Sequence, residues 1–325
     1  MLVDSYNRKL NYLRLSITER CNLHCIYCMP VHAPVSDSIA SELSFDEFLS
    51  SCSIMTELGI NRIRVTGGEP LLRPGLASLI KTLKDLSSGL SVYLTSNANL
   101  LKEFFIKASS IKSFPNGINI SLDALNPESL KKISGNMFNS SDLLKTIDKL
   151  LDKNVSVKIN CVPIAGFNEE ELVPLAMLVR DRTIDVRFIE LMPIGSAVKY
   201  KNINARETAE KIEKAIGKLS PCDAENKEGG PALYYNLPGF SGRIGFINPM
   251  SHSFCDSCNR LRLSSRGKLK LCLSSNLELD LIDMLRKGLS IDSIKESISE
   301  FILNKPYHHD FINSKQTYGM YIIGG

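Results

Sequence analysis

The 325-residue sequence lacks three features that assign many proteins to a broad class. It has no run of eighteen apolar residues, so nothing in it predicts a membrane-spanning helix. Its first twenty residues have no apolar stretch and include Asp4, Arg8 and Arg14, which argues against a secretory signal. It has no large charge excess, since 39 basic residues face 35 acidic ones, and bulk charge therefore gives no argument for nucleic-acid binding. We expect a cytoplasmic protein whose partners are neither membranes nor nucleic acids.

The composition is that of an ordinary globular protein. Apolar residues make up 43% of the chain, which is enough for a core, and charged residues make up 23%. The length predicts one large barrel-like domain, or one domain with an appendage. In a reducing cytosol, the nine cysteines are more often metal ligands or catalytic groups than disulfides.

Six of the nine cysteines form two triplets, with C-x3-C-x2-C and C-x2-C-x13-C spacing. The triplets are Cys21, Cys25 and Cys28, and Cys255, Cys258 and Cys272. Cys52 lies on the apolar stripe of a predicted helix that opens with a capping box formed by Ser44 and Glu47. Cys161 alternates with apolar residues on a predicted strand, and we interpret both as core residues. Cys222 follows a proline in a polar loop and is assigned no role.

Predicted strands alternate with predicted helices over the first 200 residues. The strands lie at about 12–17, 62–67, 91–97, 117–123, 155–162 and 185–191, with helices such as 75–86 and 141–152 between them. This alternation predicts parallel strands with crossover helices, either in an incomplete (β/α) barrel or in an open doubly wound sheet. Farther on, we expect a helix at 204–216, a loop at 220–231, hairpins within 240–275 and helical structure at 277–300.

The predicted strands alternate apolar and polar residues, although strands of a buried parallel sheet are usually apolar throughout. Five cations fall on the polar face, and they are Arg14, Arg62, Arg64, Lys158 and Arg187. A half-solvated antiparallel sheet is the alternative, but the intervening helices argue against it. Buried cations need partners, and Asp123 and Glu190 are too few to supply them. We therefore predict a wide lumen that holds a multiply charged anion, such as a nucleoside polyphosphate.

Each cysteine triplet is one ligand short of a structural zinc site. His24, His252 or a cysteine of the other triplet would complete the four. A four-iron cluster held by three thiolates instead leaves one iron open to a substrate. The C-x3-C-x2-C spacing, with an aromatic residue before the last cysteine and a predicted strand just upstream, favours the iron–sulfur interpretation.

The segment CNLHCIYC at 21–28 resembles the cluster-binding signature of radical S-adenosylmethionine (SAM) enzymes, and TGGEP at 66–70 resembles their glycine-rich strand end. A closer resemblance, over nearly the whole chain, is to the GTP 3′,8-cyclase family. It is carried by LRLSITERCNLHCIYCMP, RIRVTGGEPLLRP, VRFIELMPIG, the second triplet followed by NRLRL, and the terminal Gly-Gly pair. The second triplet with NRLRL separates this family from other radical SAM proteins.

The resemblance implies an incomplete (β/α)6 TIM-like radical SAM barrel over 1–215. It also implies a smaller C-terminal α+β region over 216–325 with an auxiliary iron–sulfur cluster. The implied activity is the first step of molybdenum cofactor biosynthesis. In that family a 5′-deoxyadenosyl radical made from SAM abstracts the ribose 3′ hydrogen of GTP, and the carbon radical attacks C8 of guanine. The product is 3′,8-cyclo-7,8-dihydro-GTP.

Matching positions in the family imply roles for individual residues. The two triplets would each hold a [4Fe–4S] cluster, the first binding SAM and the second binding substrate. The implied SAM contacts are Tyr27, Gly68, Ser121 and Met192. The implied GTP contacts are Arg14, Arg64, Thr95, Lys158, Arg260, Leu261 and Arg262. The implied catalytic residues are Arg14, Arg187, Gly324 and Gly325.

Two details qualify this assignment. The terminal glycines are expected to enter the GTP pocket and to position Arg187 or Arg260, because glycine fits where any Cβ would clash. The chain also departs from the family, with Ala98 where glycine is usual, and alanine restricts the backbone turn that follows Thr95.

The resemblance further implies an electron donor such as flavodoxin or ferredoxin, a downstream cyclic pyranopterin monophosphate synthase, and a homodimer. Two alternatives remain open. One is another two-cluster radical SAM enzyme that acts on a peptide or a nucleotide. The other is a non-enzymatic metal-binding module, such as an iron–sulfur electron carrier. An iron content of about eight atoms per chain distinguishes two four-iron clusters from zinc.

Overall fold

The computed structural model describes residues 1–29, 42–107, 113–136, 140–222, 230–311 and 319–324. The strands are β1 Leu2–Val3, β2 Lys9–Leu10, β3 Tyr12–Ser16, β4 Arg62–Thr66, β5 Ser91–Ser96, β6 Gly117–Ser121, β7 Ser156–Cys161, β8 Asp185–Ile189, β9 Ser220–Pro221, β10 Leu233–Asn236, β11 Arg243–Ile247, β12 Arg260–Leu263, β13 Lys268–Lys270 and β14 Glu278–Asp280. The helices are α1 Phe45–Glu57, α2 Leu76–Asp85, α3 Leu101–Lys107, α4 Pro127–Ser134, α5 Ser140–Leu151, α6 Leu172–Met177, α7 Ala205–Ile216, α8 Leu281–Arg286, α9 Ile291–Ile302 and α10 Met320–Ile323.

Strands β3 to β8 lie side by side in chain order, and every neighbouring pair among them is parallel. They are the six strands predicted from the alternation, each within two residues of its predicted bounds. Consecutive parallel neighbours need crossover connections, which the intervening helices supply. The predicted succession of β/α units is therefore confirmed.

The helices cover the apolar face of this sheet. Helix α1 begins with the predicted capping box, in which Ser44 Oγ accepts a hydrogen bond from Glu47 N at 3.2 Å and the Glu47 carboxylate accepts one from Ser44 N at 2.8 Å. Helices α2 and α5 bury side chains spaced three and four residues apart. These faces join the strands in one apolar core, so the opposite face of the sheet is left for polar residues.

Two C-terminal strands extend the sheet at its two edges. Strand β11 pairs in parallel with β8, and β12 pairs in parallel with β3. Within the described ranges, β12, β3 to β8 and β11 thus form eight adjacent parallel strands. The segment 248–259 joins the carboxyl end of β11 to the amino end of β12, so it runs from one end of the strands to the other. This segment carries two cysteines of the second triplet.

The C-terminal region differs from the expectation in three details. The predicted helical stretch at 277–300 contains β14, and Gly288, with a φ of +71°, separates α8 from α9. The predicted loop at 220–231 begins with β9, and its residues 223–229 lie outside the described part of the chain. Strands β12 and β13 form a hairpin as expected, whereas β11 and β12 join opposite edges of the sheet.

The predicted boundary between residues 215 and 216 stays a prediction. The sheet itself continues across that point, because β9, β10 and β11 pair in series and β11 pairs with β8.

None of the helices in the described ranges is long and apolar enough to span a bilayer.

Candidate active site

A cavity of about 360 Å³ is lined by the polar residues of the parallel strands. All six triplet cysteines line it, and so do four of the five predicted lumen cations, Arg14, Arg64, Lys158 and Arg187. Its described lining holds seven lysines and arginines but one carboxylate, that of Glu190. Glu190 already accepts hydrogen bonds from the backbone N–H groups of residues 250 and 251, at 2.8 and 2.9 Å. The cavity is therefore strongly cationic, as a polyanion site requires.

The first cysteine triplet lies beyond the carboxyl end of β3. Burial raises the pKa of Cys21 to about 11 and that of Cys28 to about 12, and it raises the pKa of Cys25 well above its ordinary value. The charge of neighbouring cysteines adds to this effect at Cys25 and Cys28. Asn97 Nδ2 lies 3.7 Å from the sulfur of Cys21. The three cysteines are partly buried, and all three line the cavity.

The second triplet lies at the amino end of the same strands. Cys258 precedes β12 by two residues, and the antiparallel register of β13 brings Cys272 beside the start of β12. Asn259 O accepts a hydrogen bond from Tyr12 N at 3.2 Å, which ties this segment to the first residue of β3. The two triplets therefore occupy opposite ends of one cavity.

The donor chemistry fits two iron–sulfur clusters. Each end of the cavity offers three free thiols, and closely spaced thiolates are the usual ligands of such clusters. In the part of the chain that the structure describes, no three Cys, His, Asp or Glu side chains converge as ligands of a single metal ion. A four-iron cluster does not need that convergence, because each thiolate binds a different iron. His24 and His252 are not among the described residues that line the cavity.

The residues matched to SAM contacts all line the cavity, and they are Tyr27, Gly68, Ser121 and Met192. Ser121 is the last residue of β6, and the other three residues come after β3, β4 and β8. All four therefore lie at the carboxyl end of the strands, as the first triplet does. The Tyr27 hydroxyl donates a hydrogen bond to Asp123 at 2.7 Å. A Cβ on Gly68 would lie 2.2 Å from the carbonyl oxygen of Arg20, so this close approach of two backbones requires glycine.

Three arginines form a row across adjacent strands between the two triplets. Arg262 on β12 is in register with Arg14 on β3, which is in register with Arg64 on β4. Burial, together with the charge of neighbouring arginines, lowers the pKa of Arg14 to about 9 and that of Arg262 to about 10. Burial alone would raise the pKa of Tyr12, but Arg64, Arg14 and Arg260 outweigh it and bring that pKa to about 8. The three arginines thus create a strong positive potential that favours binding of an anion.

Three predicted residues that the structure describes, Arg62, Leu261 and Gly324, are not among those that line the cavity. Arg62 stands at the amino end of β4, where its guanidinium lies 5.9 Å from the ring centroids of Tyr12 and Tyr93. The predicted alternation places Arg64 of β4 in the cavity lining, but Arg62, the first residue of the strand, packs against these two rings instead. Leu261 is fully buried in the apolar core, because alternate residues of β12 point to opposite faces.

Thr95 lines the cavity as predicted, and its buried Oγ1 has no hydrogen-bond partner among the described residues. The turn after Thr95 requires an unusual backbone conformation at Ala98, as expected, because the φ of this residue is +63°. This left-handed conformation favours glycine. Ala98 adopts it while its N–H donates a hydrogen bond to Ser96 Oγ at 2.8 Å.

The chain end reaches the arginine row. The Gly324 carbonyl accepts a hydrogen bond from Arg262 Nη1 at 2.7 Å, and a Cβ on this glycine would lie 2.5 Å from Thr66 Cγ2. The expected arginine partner was Arg187 or Arg260, but the bond comes from Arg262. Arg187 instead donates to the Asn160 side chain at 2.9 Å. Gly325 lies outside the described residues.

Sequence reasoning missed two basic residues beside the second triplet. Arg8 forms an ion pair with Asp4 at 2.6 Å and donates to the carbonyl oxygen of Cys255 at 2.8 Å. Lys305 is buried and lines the cavity. Burial opposes ionisation of Cys258, but Lys305, Arg260 and Arg8 outweigh it and lower its pKa. The four-residue spacing of Asp4 and Arg8 was visible in the sequence, but nothing there points to Lys305.

Two family models match the chain in succession. The radical SAM superfamily matches residues 15–179, and the family described as Molybdenum Cofactor Synthesis C matches residues 184–311. The GTP 3′,8-cyclase of Peptoclostridium acidaminophilum is 37% identical over 332 residues, which cover 100% of this chain and 98% of that protein. The chain belongs to the GTP 3′,8-cyclase family. The GTP 3′,8-cyclase of Alkaliphilus oremlandii is 38% identical, with 99% of each chain covered.

Membership of the GTP 3′,8-cyclase family confirms the resemblance found in the motifs, and with it SAM and iron–sulfur clusters as cofactors. The fold is confirmed independently. The crystal structure of Streptococcus suis SuiB bound to S-adenosylmethionine superposes with a TM-score of 0.60 at 14% identity, covering 96% of this chain and 76% of that one. A likeness at this identity supports the radical SAM fold alone, and it carries no information on substrate.

Proposed function

We propose that this protein converts GTP to 3′,8-cyclo-7,8-dihydro-GTP, the first step of molybdenum cofactor biosynthesis. The observation that carries the proposal is the row of three arginines between two cysteine triplets in one cavity. A triphosphate would bring negative charge to this row, and guanidinium groups recognise phosphate oxygens with charge-assisted hydrogen bonds.

Cys21, Cys25 and Cys28 would hold the cluster that binds SAM, and Cys255, Cys258 and Cys272 would hold the auxiliary cluster. Together, the first cluster and SAM supply the one-electron chemistry that removes the ribose 3′ hydrogen. The residues of the chain position the reactants and exclude water. GTP would lie between the triplets, with its ribose toward the first triplet and its guanine toward the second.

The cavity residues divide between the two small molecules. Tyr27, Gly68, Ser121 and Met192 would contact SAM at the carboxyl end of the strands. Arg14, Arg64, Thr95, Lys158, Arg260 and Arg262 would contact GTP. Gly324 would hold Arg262 in its orientation toward the nucleotide through the 2.7 Å hydrogen bond. Arg187, held by Asn160, would act beside them.

The protein also needs partners. We propose a one-electron donor such as flavodoxin or ferredoxin, transfer of the product to a cyclic pyranopterin monophosphate synthase, and a homodimer. All nine cysteines are free thiols, which fits a reducing compartment such as the cytosol.

Anaerobic turnover with SAM, dithionite and GTP deuterated at C3′ tests the proposal. We expect 5′-deoxyadenosine that carries deuterium, together with the cyclised nucleotide by mass spectrometry. GMP, which lacks most of the charge, should bind poorly and serves as the matched control. Unlabelled 5′-deoxyadenosine without cyclised product, or equal binding of GMP and GTP, would contradict this function.

A further inference from the structure

Lys305 lies where β12 begins and β13 ends, next to the second triplet. Its residue is 3% exposed, and its Nζ donates hydrogen bonds to the carbonyl oxygens of Arg260, at 2.9 Å, and Leu271. Arg260 follows Cys258 by two residues, and Leu271 directly precedes Cys272. The ammonium group therefore bridges the two segments that carry these cysteines.

The partners of Lys305 set it apart from the other buried lysines. Lys158 lies 3.5 Å from the carboxylate of Asp185, and Lys270 lies 3.0 Å from that of Glu278. Both hydrogen-bond partners of Lys305 are neutral carbonyl oxygens, and it forms no ion pair with an Asp or Glu of the described ranges. A buried charge without a counter-charge destabilises the folded state, so a negative group is expected beside it. Burial lowers the pKa of Lys305, and among the groups around it Cys258 and Cys272 most favour its charged form.

We propose that Lys305 is the counter-cation of the auxiliary cluster and raises the reduction potential of that cluster. The inference rests on the proposed function, which assigns a cluster to the second triplet. Three thiolates give the oxidised cluster a net negative charge, and reduction adds an electron. A fixed positive charge in a buried site stabilises the reduced form more than the oxidised form, and the potential therefore rises. Lys305 is thus a positioning residue that acts on the substrate through the cluster.

Three full-length variants, each reconstituted with iron and sulfide, test this role. Lys305→Gln keeps N–H donors for the two carbonyls but removes the charge, and Lys305→Arg keeps the charge. Lys84→Gln is the matched control, because Lys84 is a half-buried lysine that donates to the carbonyl oxygen of Phe114 at 2.7 Å and is not among the described cavity residues. Potentiometric titration followed by electron paramagnetic resonance gives the midpoint potential of each cluster. The auxiliary signal is the one that Cys258→Ala removes.

We expect a negative shift of the auxiliary midpoint potential in Lys305→Gln, and wild-type values in Lys305→Arg and Lys84→Gln. The potential of the first cluster should stay unchanged in all three. Loss of the auxiliary cluster from Lys305→Gln but not from Lys305→Arg also supports a role for the charge. An unshifted auxiliary potential in Lys305→Gln, or equal loss of the cluster from both Lys305 variants, overturns the proposal.

Failure of the underlying function has a separate signature. In that case, Cys258→Ala would leave the iron content of the protein at the wild-type level, and the cluster assignment would fail together with the inference. A normal iron loss in Cys258→Ala with unshifted potentials in the Lys305 variants rejects the inference alone.

Discussion

At the scale of single residues, the thiol pKa alone does not distinguish the cysteines of this protein. Burial raises the pKa of both Cys52 and Cys28 to about 12. Cys52 packs in the core face of α1, whereas Cys28 lines the cavity beside two other thiols. The role of each cysteine therefore depends on what it faces.

Replacing Cys25 with alanine is expected to abolish 5′-deoxyadenosine formation, because a cluster without one of its three ligands cannot keep a defined open iron. Chromatography of anaerobic reactions with SAM and dithionite measures this product. Cys52→Ala is the matched control and should retain SAM cleavage. Undiminished cleavage in Cys25→Ala would remove the first triplet from the mechanism.

Replacing Arg64 with alanine is expected to weaken GTP binding by roughly 1.5–3 kcal/mol, the range for hydrogen bonds to charged groups. This corresponds to about a tenfold to hundredfold increase in Kd, measurable by calorimetry. Arg73→Ala is the control, because Arg73 donates to the carbonyl oxygens of residues 17 and 43 and is not among the described cavity residues. Equal loss of affinity in both variants would argue against a triphosphate contact by Arg64.

Glu69 links stability to pH. Burial raises its pKa from 4.5 to about 7, against the hydrogen bonds it accepts from Asn97 N, Leu71 N and Ser96 Oγ. Between these two values the native state holds a proton that the unfolded chain has lost, so the free energy of unfolding falls as pH rises from about 4.5 to 7.

We therefore expect Glu69→Gln to flatten the pH dependence by on the order of 2 kcal/mol between pH 5 and 8. Urea unfolding of the anaerobic protein at several pH values measures it, with a variant of the exposed residue, Glu103→Gln, as the control. Parallel wild-type and Glu69→Gln profiles would show that Glu69 is ionised throughout this range.

At the scale of elements, the last described residues of the chain pack against strands β3 and β4. Helix α10 brings Gly324 against Thr66 and Ser16, where a φ of +71° and the short distance to Thr66 Cγ2 both require glycine. The carbonyl of Gly324 then holds Arg262. A side chain at this position would displace the tail from the arginine row.

Gly324→Val is expected to keep the iron content and uncoupled SAM cleavage while losing most cyclised product. Deleting residues 324 and 325 should have the same effect. Mass spectrometry of the nucleotide and 5′-deoxyadenosine from the same reaction separates the two activities. Ile322→Val, a change in the same tail that leaves both glycines, should behave as wild type. Wild-type turnover of GTP by the truncated chain would show that the tail has no catalytic part.

At the scale of the whole molecule, the chain joins its two cluster sites through the sheet. Strands β11 and β12 flank the six-stranded centre, and the segment between them runs from the carboxyl to the amino end of the strands. The first triplet is therefore at one end and the second at the other. A substrate between them can meet both.

The two sites are expected to load independently. The wild-type chain should bind about eight irons and Cys258→Ala about four. This variant should keep its SAM affinity but lose most cyclisation, because the guanine loses its anchor. Iron analysis and SAM titration measure both effects, with Cys222→Ala as the control. Equal loss of SAM and GTP affinity would indicate that the second triplet has only a structural role.

The sequence by itself determined the features of this protein that depend on residues close together in the chain. Cysteine spacing, period-two alternation and the Ser44–Glu47 capping box depend on residues a few positions apart, so the six central strands and both triplets could be predicted. The motif resemblance extended this prediction to the family, which the relatives confirm.

Only the tertiary structure decided which distant residues meet. The alternation could not show that tyrosine rings hold Arg62, that Gly324 bonds Arg262, or that Lys305 bridges the strands of the second triplet. These contacts join positions between 34 and 62 residues apart, or lie across neighbouring strands, and their geometry depends on sheet order and register. A periodic pattern gives the face of a strand on which a side chain lies, but the neighbour it meets there is set by the packing of the whole chain.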